Sequence, residues 1–165
     1  MEIETTRFGK LEIDESKIIF FTTGILGFPQ AKRYVLLPHR ENSPFFWLQA
    51  IDVPELAFVV IWPRLFFPDY APALPQEARK ELHIREGDEI DFLTIVTIPK
   101  DCPEKMTVNL LGPIAINVTR RLAKQIILDA RRYPLQEPLT PRIKAVLAQG
   151  TMATQETPFA ESLAK

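Results

Sequence analysis

The 165 residues include one cysteine, two histidines and six glycines, and the formal net charge is −1. Each scarcity excludes something. A single thiol, Cys102, permits no internal disulfide and no thiolate cluster for zinc. His39 and His83 stand in separate polar surroundings, which is poor material for a base with its nucleophile or for a metal. Apolar runs such as residues 57–62 stop well short of the ~18 residues a membrane helix needs. The opening Met1-Glu2-Ile3-Glu4 has neither the basic stretch nor the long apolar run of a secretory signal, so a cytosolic location is expected. Gly24 and Gly27 match neither a P-loop nor a dinucleotide fingerprint. The acidic run Glu86, Asp88, Glu89 and Asp91 lacks the periodic oxygens and terminal glutamate of a calcium loop.

What remains is an ordinary globular composition, 46% hydrophobic and 25% charged. A chain of this length can bury roughly 70% of its unfolded surface in one core. Fifteen prolines are unusual, and many of them bound short β-prone runs. The near-zero net charge hides an asymmetry: residues 1–104 carry 17 acids and 11 bases, residues 105–165 carry 4 acids and 9 bases. Arg120, Arg121, Lys124, Arg131 and Arg132 form a modest basic patch, which keeps a direct RNA-binding reading open as the alternative.

Along the chain, Ile3 to Ile13 alternates apolar and polar residues about Gly9, as a hairpin does. Residues 17–21, 34–37 and 45–50 read as short strands closed by Thr, Gly, Pro or Asn-Ser punctuation. Residues 57–62 are apolar on both parities, which fits a strand covered on both faces. Pro75 opens a short helix of good formers. Residues 90–98, 106–111, 114–118 and 123–128 complete the strands, with Val108, Leu110, Ile114, Ile116 and Val118 facing inward and Gly112-Pro113 as a bend. Thr140-Pro141 starts a second helix, with Ile143, Val146 and Leu147 as its apolar stripe and Gly150 as its stop. A frayed tail is expected over 151–165. The fold class is therefore mostly β, a small barrel-like antiparallel or mixed sheet with one or two short helices. The barrel domain spans 1–139 and the C-terminal helix and tail span 140–165.

Trp62-Pro63-Arg64-Leu65-Phe66-Phe67-Pro68-Asp69-Tyr70 packs rings between prolines, too broken for a regular strand or helix. Phe66 is read as core and Tyr70 as an interface anchor, since rigid aromatic rings dominate protein interfaces.

Four stretches together resemble the bacterial flagellar assembly factor FliW family. They are Met106-Thr107-Val108-Asn109-Leu110-Leu111-Gly112-Pro113-Ile114-Ala115-Ile116-Asn117, Leu65-Phe66-Phe67-Pro68-Asp69-Tyr70, Pro54-Glu55-Leu56-Ala57-Phe58 and Arg132-Tyr133-Pro134-Leu135. The resemblance covers residues 2–139, with Leu26 standing where the family often has proline. It implies a cytosolic β-barrel-like protein, not an enzyme and without cofactor or metal. Such a protein binds flagellin as a chaperone and antagonises the translational regulator CsrA by binding it. Phe67, Asp69 and Tyr70, with Gly27 and Phe28 nearby in the fold, are the partner-binding residues expected under this resemblance. A monomer is expected, with the apolar stripe of the last helix as the surface that could weakly pair two copies.

Overall fold

In the computed structural model, residues 1–40 and 43–148 are described. The alternation about Gly9 folds as a hairpin, β1 (Glu2–Thr5) against β2 (Gly9–Glu12), with Ile3 opposite Leu11. The Thr5 hydroxyl donates to the Gly9 carbonyl and accepts from the Phe8 N–H, fixing the turn. Next come β3 (Ile19–Phe21), β4 (Arg33–Pro38), β5 (Phe46–Ala50) and β6 (Ala57–Ile61), paired antiparallel in sequence order. Helix α1 (Gln76–Glu81) leads to β7 (Ile90–Thr97), followed by β8 (Thr107–Val108), β9 (Ile114–Asn117), β10 (Leu122–Gln125), β11 (Glu137–Pro138) and helix α2 (Thr140–Ala148).

Two pairings close the sheet on itself. The first half of β7 takes β9, with Phe92 opposite Ala115, while its second half pairs with β6 and β8. Strand β10 then lies antiparallel to β9 and parallel to β3, the one parallel contact of the ring. Seven strands, β3 to β7 with β9 and β10, thus make a closed mixed barrel, and closure removes the open edges that invite aggregation.

Period-two alternation sorts the side chains. Ile19, Phe21, Tyr34, Leu36, Leu48, Val60, Leu93, Ile114, Ile116 and Ala123 fill the interior. The opposite parity is covered from three sides. The β1–β2 hairpin lays Ile3 and Leu11 over Val35 and Ile51. Helix α1 sets Ala78 and Leu82 over Ala115 and Ile126. The Phe66–Tyr70 segment and α2 cover Ile61, Val96 and Val108. This explains why β6 is apolar on both parities: Val60 points inward while Val59 and Ile61 lie under the third cover.

The strand expected over 106–111 is only Thr107–Val108. The Asn109 carboxamide oxygen accepts from the N–H groups of Leu111 and Gly112 and turns the chain out of the ladder. Regular pairing expected over 123–128 ends at Gln125, although Ile126 and Leu128 still donate to the Pro113 and Leu111 carbonyls. In α2, Ile143 and Val146 pack on the barrel flank, whereas Leu147 points outward. The Thr140 hydroxyl, expected as a helix cap, donates instead to the Glu104 carbonyl. The expected stop at Gly150 and the tail from 151 lie outside the described residues.

Candidate partner-binding surface

A turn of 3-10 helix over Pro63–Leu65 starts the aromatic segment, and the Phe67 N–H bonds back to the Pro63 carbonyl. This compact path carries Phe66, Phe67 and Tyr70 inward. Phe67 lies under α2, with the Arg142 guanidinium 5.0 Å from its ring centroid. Tyr70 is 5% exposed, stands edge-on to Tyr133, and donates its hydroxyl to the Leu110 carbonyl at 2.8 Å. Desolvation pushes the Tyr70 phenol well above its ordinary value. The expected role of Tyr70 as an exposed anchor is thereby corrected: its ring is core, and its one polar atom is committed inside the chain. Phe67 is likewise buried. Asp69, between them in sequence, is exposed.

Gly27 and Phe28 sit in the β3–β4 connection and are exposed. Phe28 leans edge-on against Phe58 at 5.4 Å, on a different apolar cluster from Phe67 and Tyr70. The expected residues therefore form two separate groups. The loop is held firmly. Gln125 accepts from the Leu26 N–H through Oε1 at 2.9 Å and donates through Nε2 to the Gly112 carbonyl at 2.9 Å, pinning the loop to the Gly112-Pro113 bend. Residues missed in the sequence emerge here: Leu26, 76% exposed, and Ile127, 60% exposed, flank a groove of about 320 Å³ between the loop and Gln125. A leucine between two glycines, off any strand alternation, was the available signal for Leu26.

The other candidates are tied into the chain. Arg120 pairs with Asp88 at 2.9 Å, Lys124 with Glu81 at 2.8 Å and Arg131 with Asp129 at 3.1 Å, while Arg132 lies over the Tyr133 ring. Most of the basic patch is thus neutralised by its own neighbours. Asp88 also accepts from the Arg85 N–H and the Asn117 carboxamide, and these bonds hold its carboxyl below the usual carboxylate value. The Cys102 thiol donates to the Glu104 carboxylate, which pushes its pKa up and suppresses the thiolate. His39 rests against Phe45 and Trp47, and burial with nearby Arg40 lowers its pKa. Among the described residues no group of three or more His, Cys, Asp or Glu could hold a metal. No described helix is long and apolar enough to cross a membrane.

Together these features define a small closed mixed β-barrel that displays a pinned apolar loop beside a groove. Residues 2–139 match the family profile described as FliW protein. The flagellar assembly factor FliW of Magnetococcus marinus is 45% identical over 141 residues, 86% of each chain. That of Geobacter sulfurreducens is 46% identical over 138 residues, 84% of this chain and 86% of the relative. A crystal structure of the flagellar assembly factor FliW superposes with a TM-score of 0.77 at 36% identity, covering 86% of this chain and 98% of that one. The chain belongs to the FliW family.

Proposed function

We propose that this protein is a cytosolic flagellar assembly factor that binds flagellin as a chaperone and, when released from it, binds CsrA and antagonises its hold on flagellin messenger RNA. The observation that carries the reading is family membership across residues 2–139, in relatives named flagellar assembly factors. The internal pairing of Arg120, Lys124 and Arg131 favours action through proteins over direct RNA contact. The acidic excess of residues 1–104 suits a basic partner electrostatically.

A gel-shift with flagellin leader RNA tests the scheme. The purified protein alone leaves the RNA unshifted and reverses a shift made by CsrA, and it co-purifies with flagellin. A shift by the protein alone would instead favour RNA binding. The proposed partner-binding residues fall in two groups, Gly27 and Phe28 in one, and Phe67, Asp69 and Tyr70 in the other, where Asp69 is exposed and Phe67 and Tyr70 on either side of it in sequence are buried. Asp69→Ala should weaken flagellin or CsrA binding by more than about 1 kcal/mol with an unchanged folded spectrum. Unchanged affinity for both partners removes Asp69 from the surface.

A further inference from the structure

The β1–β2 hairpin is a two-stranded sheet of its own, so each strand has one edge outside the pair. Antiparallel neighbours alternate between residues that exchange both backbone bonds and residues whose N–H and C=O turn away. The Ile13 N–H donates to the Met1 carbonyl at 2.8 Å and the Met1 ammonium donates to the Ile13 carbonyl at 3.1 Å, which fixes the phase. Ile3 with Leu11 and Thr5 with Gly9 are then the bonded pairs. The backbone groups of Glu2 and Glu4 turn to the outer edge of β1, and those of Lys10 and Glu12 to the outer edge of β2. None of these groups bonds a described residue.

The two edges differ in cover and in charge. Ile3 and Thr5 of β1 are buried, and the Thr6 N–H bonds the Pro54 carbonyl at 2.9 Å, so β1 is held against the barrel wall. Strand β2 has no buried residue: Gly9, Lys10 and Glu12 are exposed and Leu11 is half-buried. On its solvent face β1 presents only acids, Glu2 and Glu4, whereas β2 presents Lys10 and Glu12 with Leu11 between them on the barrel face. The Glu12 carboxylate accepts from the Met1 ammonium at 2.6 Å, yet its side chain is 75% exposed and open to a second cation. Lys10 joins no ion pair among the described residues.

A strand laid antiparallel along β2 exchanges both backbone bonds with Lys10 and both with Glu12. Residues directly opposite share a face, so this strand places a base opposite Glu12, an apolar side chain beside Leu11 and an acid opposite Lys10. Charges on an edge keep ordinary apolar strands away, and a lysine followed by a glutamate also rejects the reverse order of charge. We propose that the outer edge of β2 docks an extended segment of a bound protein that reads base, apolar, acid from N to C, added as a third strand to the hairpin. Three strands are also a more stable sheet than two. The hairpin rests on Val35 and Ile51, a cluster separate from those that hold Phe28 and Phe67.

The test titrates an end-capped heptapeptide, Thr-Thr-Lys-Val-Glu-Thr-Thr, into the ¹⁵N-labelled full chain and reads amide hydrogen exchange along both edges. Binding should saturate in the millimolar range. At about ten times its Kd the peptide should slow exchange of the Lys10 and Glu12 amides about tenfold and leave those of Glu2 and Glu4 unchanged. The reversed order, Thr-Thr-Glu-Val-Lys-Thr-Thr, should bind about fivefold more weakly, since two cross-strand pairs become like-charged. A peptide N-methylated at its lysine and glutamate lacks the backbone donors and should not bind. Exchanging the charges in the protein, Lys10→Glu with Glu12→Lys, should turn the preference to the reversed peptide. Protection at Glu2 and Glu4 instead, equal binding of both orders, binding that survives N-methylation, or no protection at all would each overturn the site. Protection of Lys10 and Glu12 that rises with protein concentration alone would assign the edge to a second copy of the chain and overturn it too. The inference rests on the proposed function only in that a protein supplies the strand. Peptide binding by a chain that ignores flagellin and CsrA would remove that function and leave this edge standing, whereas the opposite result would remove the edge alone.

Discussion

Two tyrosines, Tyr34 and Tyr70, are buried in two different regions, and their hydroxyls have opposite fates. Tyr34 stands inside the barrel among Phe21, Leu36 and Phe58, and its hydroxyl has no hydrogen-bond partner among the described residues. Tyr70 lies in the flank cluster outside the barrel, and its hydroxyl closes on the Leu110 carbonyl. The interior is held by shape alone, since seven strands supply apolar side chains and keep their backbone groups for one another. The flank is built from irregular chain whose carbonyls lack ladder partners, so a side-chain donor there joins two loops as well as filling space. The same residue type is thus filler in one region and a fastening in the other.

The largest effect expected is at the centre of the interior. Leu36→Ala removes a fully buried side chain facing Leu48 across the β4–β5 ladder. It should cost about 3–5 kcal/mol, read from urea unfolding, because a ring of paired strands cannot collapse into the void. A cost below about 2 kcal/mol would mean that the interior is looser than the flank.

The Leu26 loop extends the comparison to chain that is neither interior nor flank. Gly24 has φ +75°, and a Cβ there would stand 2.8 Å from the Phe28 carbonyl oxygen and 2.9 Å from the Pro29 Cα. Gly27 has φ +91° with open space around it. Gly24→Ala should therefore destabilise by about 2–3 kcal/mol, combining left-handed strain with a backbone clash, and Gly27→Ala by only about 1 kcal/mol. Equal losses in thermal unfolding would show that the close approach at Gly24 is readily relieved.

Much of the interior was legible because alternation is a local property. Tyr34 with Leu36, and Ile114 with Ile116, declare one face within three residues, and the structure places all four inside. Closure was less legible. The parallel seam sets Leu122 beside Phe20 and Ala123 beside Phe21, a pairing about a hundred residues apart that no short window encodes. The direction of Tyr70 was illegible for a related reason. The segment's own composition fits an exposed aromatic anchor, and what turns it inward is Tyr133 and α2, contributed by distant chain. The Asn109 bonds that cut short the strand after Val108 were equally silent, since an asparagine in a β-prone run is compatible with pairing or with a turn.

Removing only the hydroxyl sharpens the contrast between the two tyrosines. Tyr70→Phe leaves the Leu110 carbonyl without its donor in a buried setting and should cost about 1–2 kcal/mol in urea unfolding. An effect near zero would mean that water takes over the bond and that the flank is wetter than its burial implies.

Tyr34→Phe should change stability at neutral pH by less than about 0.5 kcal/mol or raise it, because it deletes a buried polar atom that bonds no described residue. Its effect should grow in alkali. Desolvation pushes the Tyr34 phenol up to about 12 from an ordinary value of 10.0. A group whose folded pKa is raised gives stability that is present in full below the unfolded value and is lost as pH rises through the folded one. Wild type should therefore lose stability between about pH 10 and pH 12 as the unfolded chain ionises this phenol and the barrel resists doing so. The phenylalanine variant lacks that loss, so the stability difference should move in its favour across this window, measured by urea unfolding at a series of pH values. A difference that stays flat would mean that the Tyr34 hydroxyl is solvated in the folded barrel, and the distinction between a dry interior and a bonded flank would then fall.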